Sequence, residues 1–156
     1  AIDWLMCLEP EWYSTMFGVY FFSGSVVAIL SVTLLLVNFA YAQGALRGVV
    51  TVEHLQDVAK LLFGFTIFWT YIAFSQYFLI WYANIPEETI YYMKRQVGSW
   101  QSAGMFLAFG HFLVPFFFLM PRAVKRRSGL LVAIAIIPWI INVMLDYTTA
   151  MFTGHF

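Results

Sequence analysis

Apolar residues gather along this chain in four stretches, at about 16–41, 58–82, 101–120 and 129–151, each close to or beyond the roughly 20 residues a helix needs to cross about 30 Å of hydrocarbon. The segments between them are too short for a soluble domain. The second stretch is the most decorated. From Leu61 to Tyr82 it carries no charge, yet Ser75 and Gln76 interrupt its second half, and it ends on Ala83-Asn84-Ile85-Pro86-Glu87-Glu88-Thr89. Ahead of it, Glu53, Asp57 and Lys60 fall on one face of a helix that Thr51 is placed to cap. A helix running from Val52 to Tyr82 measures about 46 Å, so its first turns stand in the membrane interface and Glu53, His54 and Asp57 need no burial. Pro86 followed by Glu87 and Glu88 suits a first helical turn and predicts a short interfacial helix over about 86–97. The pattern predicts an all-α, polytopic integral membrane protein in which residues 1–156 form a single bundle of four transmembrane helices.

Composition agrees with that pattern. Of 156 residues, 62% are apolar, 21% aromatic and 10% charged, outside the range of soluble globular chains. Eight basic residues balance eight acidic ones, so net charge implies no nucleic-acid partner. Their positions say more. Arg47, Arg122, Lys125, Arg126 and Arg127 fall between the first and second or the third and fourth stretches and Lys60 at the adjoining start of the second, six in all, whereas Lys94 and Arg95 fall on the other side. By the positive-inside rule the six are cytoplasmic, and both ends of the sequence face the periplasm. The single cysteine, Cys7, forbids an internal disulfide and any all-cysteine metal site built from this chain.

Polar side chains inside a bilayer are costly, so each is a candidate for function or for helix packing. His111 lies midway along the third stretch, and Pro115, four residues on, cannot donate to its carbonyl. A proton relay, a quinone hydrogen bond, an axial haem ligand and a plain interhelical hydrogen bond all fit. Asp146 is the one carboxylate within its stretch, with Asn142 a turn before it and Thr149 three residues after, in the periplasmic third of that span. It can take protons there or stand solvated near a helix end. Ser75, Gln76 and the pair Thr66 and Thr70 can line a water wire or hold helices together, and Gly18, Gly24 and Ser25 allow close helix approach. Glu53, His54 and Asp57 at the opposite face form either a proton mouth or a solvated helix start.

One family resemblance sharpens this reading. The segments Gly48-Val49-Val50-Thr51-Val52-Glu53-His54, Lys60 through Phe65, Tyr71 through Thr89, Gly110-His111-Phe112 and Pro115 through Met120 resemble the ActF-type membrane subunits of bacterial alternative complex III. The match covers most of residues 45–128. It implies an NrfD-type (polysulfide-reductase-like) fold with more than four spans, of which this chain is one part, in the bacterial cytoplasmic (inner) membrane. The implied function is that of a subunit without a redox centre in a quinol:cytochrome c (or oxidase) oxidoreductase complex. It supports electron transfer from menaquinol and translocates protons, with Asp146, His111, Gln76, Ser75, Asn142, Glu53, His54 and Asp57 as path candidates. No cofactor is expected on this chain itself. Menaquinone nearby, haem c and iron-sulfur clusters in partner subunits, and other membrane subunits complete the implied setting. Two other classes stay open: a quinone-binding or haem b anchor of a respiratory dehydrogenase, and half of a secondary transporter with broken helices at Pro115 and Pro138.

Overall fold

Long apolar helices need their ends closed by local hydrogen bonds, and the chain does this with small and turn-forming residues. The computed structural model describes residues 13–46, 48–96, 99–125, 131–138 and 140. Helix α1 (Phe17–Ala42) has 26 residues and α2 (Val52–Ala83) has 32, giving lengths of about 39 and 48 Å. Gly44, at φ 84°, ends α1 in a Schellman motif. Its N–H donates to the Tyr41 carbonyl at 3.0 Å and that of Ala45 to the Ala40 carbonyl at 3.2 Å. At the far end of α2, Asn84 takes the left-handed conformation (φ 49°) and its N–H donates to the Ile80 carbonyl at 3.1 Å. Pro86 then opens α3 (Pro86–Arg95), with Glu87 and Glu88 in its first turn. Next come α4 (Ser99–Phe106), a π-helical segment Leu107–Leu113, α5 (Val114–Leu119) and α6 (Arg122–Lys125). Residues 131–138 are helical too, and there is no strand among the described residues.

The hairpin of α1 and α2 is held by a seam of alternating three- and four-residue spacing. On α1 the inward positions are Phe17, Tyr20, Gly24, Val27, Ser31, Leu34 and Asn38; on α2 they are Leu55, Ala59, Leu62, Thr66, Trp69, Ala73, Gln76 and Ile80. This is the spacing of helices that pack ridges into grooves along their whole length. Several seam positions are small or hydroxylated, which lets two helices approach closely without a bulky layer between them. Their polar atoms are satisfied within their own helix. The Ser31 hydroxyl donates to the Val27 carbonyl at 2.8 Å, Thr66 to Leu62 at 2.8 Å, and the Asn38 amide to Leu34 at 3.1 Å. Ser25 is turned away from the seam and bonds the Phe21 carbonyl at 2.9 Å.

The other elements wrap α2. Phe63 meets Phe116 at 5.6 Å between ring centroids, and Leu119 joins Leu55, Ala59 and Leu62 in one buried cluster, so α5 runs antiparallel to α2. Leu131, Ile134 and Ala135 enter the same cluster. Helix α3 folds back on the far end of α2, where Tyr92 packs edge-on to Tyr77 at 5.2 Å and Gln96 donates to the Tyr77 hydroxyl at 3.4 Å. Outward, α1 and α2 present Phe22, Ile29, Leu36, Phe39, Leu61, Tyr71, Phe74 and Leu79, all exposed. Among the described residues, most of the apolar surface of both helices faces outward. Both helices are long and apolar enough to cross a membrane. Of the stretch expected at 129–151, only 131–138 and 140 fall within the described residues.

The seam makes a contrast that can be measured. Leu62→Ala should destabilise the hairpin by about 2–4 kcal/mol, whereas Thr66→Val, which removes a hydroxyl bonded only to its own helix, should change stability by less than about 1 kcal/mol. Unfolding in mixed detergent micelles reads both. Equal losses would place the Thr66 hydroxyl in an interhelical bond.

Candidate functional site

Pro115 has no N–H, so the helix through the third apolar stretch cannot continue its bonding ladder undisturbed. An α-helix would leave the His111 carbonyl without its donor. Instead, residues Leu107–Leu113 take π-helical register, and the Val114 N–H donates to the Phe109 carbonyl, five residues back. The next donor in that register would be the nitrogen of Pro115. Pro115 itself sits buried in the first turn of α5.

The π-turn carries His111 against α2. Its ring packs edge-on to Trp69, with centroids 4.2 Å apart and planes at 67°, and Trp69 in turn lies 5.4 Å from Tyr20 of α1. Three helical segments thus meet through three rings. Trp69 stands about 26 Å from the start of α2 and about 21 Å from its end, so the contact is near the middle of the helix. His111 is 1% exposed, and neither Nδ1 nor Nε2 has a hydrogen-bond partner among the described residues. Leaving a buried polar group unmatched costs about 1–3 kcal/mol. A phenylalanine would fill the same space without that cost. The imidazole is therefore the chemically conspicuous group in the bundle, able to give a proton at one nitrogen and take one at the other.

The remaining candidates occupy separate levels along α2. Gln76 is buried two turns beyond Trp69, and its amide donates to the Ser14 hydroxyl at 3.1 Å, tying the end of α2 to the residues ahead of α1. Ser75 beside it is half-buried. At the other end Glu53, His54 and Asp57 are all exposed. The Thr51 N–H donates to His54 Nδ1 at 3.1 Å, with the Thr51 hydroxyl 2.9 Å from the same nitrogen, so His54 closes the start of α2. That bond requires Nδ1 unprotonated and the ring proton on Nε2. Asp57 pairs with Lys60 at 2.8 Å on the surface. About 18 Å separates Asp57 from Trp69 along the helix. Asn142 and Asp146 lie outside the described residues. No three His, Cys, Asp or Glu side chains converge to hold a metal ion among the described residues.

Sequence reading singled out His111 and Gln76 but missed their neighbours. Trp69 was one of many aromatics, and Ser14 stood outside every predicted span. The signal that could have found Trp69 is the seven-residue step from Leu62 through Trp69 to Gln76, which marks one face of α2.

If the Gln76 to Ser14 bond crosses the seam as a structural tie, a double-mutant cycle of Gln76→Ala with Ser14→Ala should give a coupling of about 0.5–1 kcal/mol in detergent unfolding. Strict additivity would mean the two side chains act apart. No protein-family model matches the chain, and no curated protein is significantly similar to it.

Proposed function

We propose that the chain is part of a multi-pass subunit of the bacterial cytoplasmic membrane, a four-helix bundle within a larger NrfD-type protein, in a complex that oxidises menaquinol and passes electrons toward cytochrome c or an oxidase. Its role there is to carry protons and hold partner subunits rather than to bind a redox centre. The observation that carries this reading is the buried imidazole of His111, unmatched by any described polar group at the middle of the apolar bundle. An intramembrane ionisable residue of that kind is the usual mark of a proton or substrate path. The sequence resemblance to ActF-type subunits supplies the respiratory setting. Other membrane subunits, an iron-sulfur subunit and haem c subunits would be its partners, with menaquinone close by.

The distribution of charge supports an orientation. Exposed Lys60 and Arg122 belong to the end where α2 begins and α6 packs, while Glu87 and Glu88 belong to the other, together with Lys94 and Arg95 in sequence. With Arg47, Lys125, Arg126 and Arg127 added from the sequence, the basic end is assigned to the cytoplasm. In this orientation Glu53, His54 and Asp57 stand at the cytoplasmic mouth, His111 at mid-depth, and Ser75 and Gln76 toward the periplasm. Asn142 and Asp146 are assigned to the periplasmic third of the last span on sequence alone.

Purification of the tagged full-length subunit from native membranes in mild detergent tests the setting. Multihaem c and iron-sulfur polypeptides should come with it. Isolation of the subunit without partners overturns the complex and favours a transporter, and a haem b α-band on the isolated subunit favours the anchor. Within proteoliposomes of the complex, His111→Leu should lower the protons moved per quinol oxidised. An unchanged ratio removes His111 from the path.

A further inference from the structure

The start of α2 is closed by a single ring nitrogen. Thr51 is extended ahead of the first turn, and His54, the third residue of the helix, turns its imidazole back toward it. Nδ1 accepts the Thr51 N–H at 3.1 Å and lies 2.9 Å from the Thr51 hydroxyl. Helices that close this way usually place Glu or Gln at the third position, with an oxygen as the acceptor. A histidine there differs in one respect. Its acceptor is a lone pair that a proton occupies when the ring becomes charged near neutrality.

We propose that His54 is a proton-sensitive latch on the start of α2, closed by the neutral ring and opened by the charged one. On protonation Nδ1 becomes a donor. Its 2.9 Å contact with the Thr51 hydroxyl survives with the roles reversed, because that oxygen accepts as well as donates. The 3.1 Å contact does not survive: two N–H groups would face each other, and the exposed Thr51 N–H passes to water. The new charge also stands in the first turn of a helix, where the dipole disfavours a cation. Both effects have the same sign, so the latch holds above the histidine range and opens as pH falls through it. Other charges at this end act through space. Glu53 and Asp57 favour the charged ring, while Lys60 on α2 and Arg122 and Lys125 of α6, which packs on α2, oppose it. Helix α1 brings the phenol of Tyr41, and Arg47 follows in the connection. Asp57 is already bonded to Lys60 at 2.8 Å, and exposed charges are screened by salt, whereas the latch acts by contact. What opens is local. Leu55, the next residue, is buried in the seam. Ahead of Thr51 the connection turns at Gly48 (φ 91°), with the Val49 and Val50 N–H groups on the Leu46 carbonyl at 3.2 and 3.1 Å. Acid therefore frees the joint between connection and helix, while the α1–α2 seam, whose buried polar groups are hydroxyls and amides, stays closed. The inference is independent of the proposed function.

Amide hydrogen exchange of the full chain in phospholipid bicelles, read by NMR as protection relative to the intrinsic rate at each pH, tests the latch. Thr51 protection should fall about fivefold from about pH 8 to about pH 5, the worth of one cap bond across the histidine range. The Asn84 N–H, bonded to the Ile80 carbonyl at the other end of α2, should keep its protection. The fall should follow the protonation of His54 read from its ring-nitrogen shifts. His54→Gln closes the same box without titrating and should hold Thr51 protected at both pH values, and His54→Ala should leave it unprotected at both. Equal protection of Thr51 at the two pH values in the parent chain overturns the latch, as does a fall that does not track the His54 ring. So does a His54→Ala chain that keeps full protection, or a His54→Gln chain that loses it in acid as the parent does.

Discussion

Polar groups placed between apolar side chains must find partners within the protein, because apolar side chains offer none. The rest of this structure depends on that constraint. Ser31, Thr66 and Asn38 meet it by bonding back to the carbonyls of their own helix, which frees the seam between α1 and α2 to be packed by shape. Gln76 meets it by reaching Ser14. Helix ends meet it through Gly44, Asn84 and the Thr51 to His54 cap. Among the described side chains His111 is the exception, and the same turn breaks the backbone ladder. The backbone departure follows from Pro115, which has no N–H.

The exception matters because it stands where three elements join. Tyr20, Trp69 and His111 link α1, α2 and the π-turn through ring contacts of 5.4 and 4.2 Å. A change in how the His111 ring is solvated or protonated would be felt first by Trp69, the midpoint of the long α2 helix. The imidazole lies between a regular helix on one side and an irregular backbone on the other. The regular seam of α2 provides the first, and the π-turn, whose register has one residue to spare, provides the second.

Much of the helical plan could be read from residues alone. The apolar stretch near 58–82, with charged turns before it and an Asn-Ile-Pro-Glu-Glu turn after it, became α2 (Val52–Ala83), followed by α3 from Pro86, because each boundary residue acts locally. The seam was harder to see. In a water-soluble helix the buried face is the apolar one, but here exposed Phe74, Phe78 and Leu79 are more hydrophobic than buried Ser31, Thr66 and Gln76. Hydrophobicity then cannot tell inside from outside, and only the seven-residue recurrence of small and polar positions does. The polar trio Glu53, His54 and Asp57, read as a proton mouth or a solvated helix start, is exposed, with His54 at the helix cap and Asp57 paired with Lys60.

By itself, then, the sequence determined that the chain is helical, that its first two long helices are long and apolar enough to cross a membrane, and where turn chemistry ends them. These follow from interactions within a few residues of one another, which composition and spacing encode directly. Tertiary structure alone decided that Trp69 packs against His111, that Ser14 answers Gln76, and that the helix ahead of Pro115 takes π register. Those outcomes depend on which faces meet across helices, and in a chain whose faces are nearly all apolar that choice is made by shape and by the few polar groups that must be satisfied.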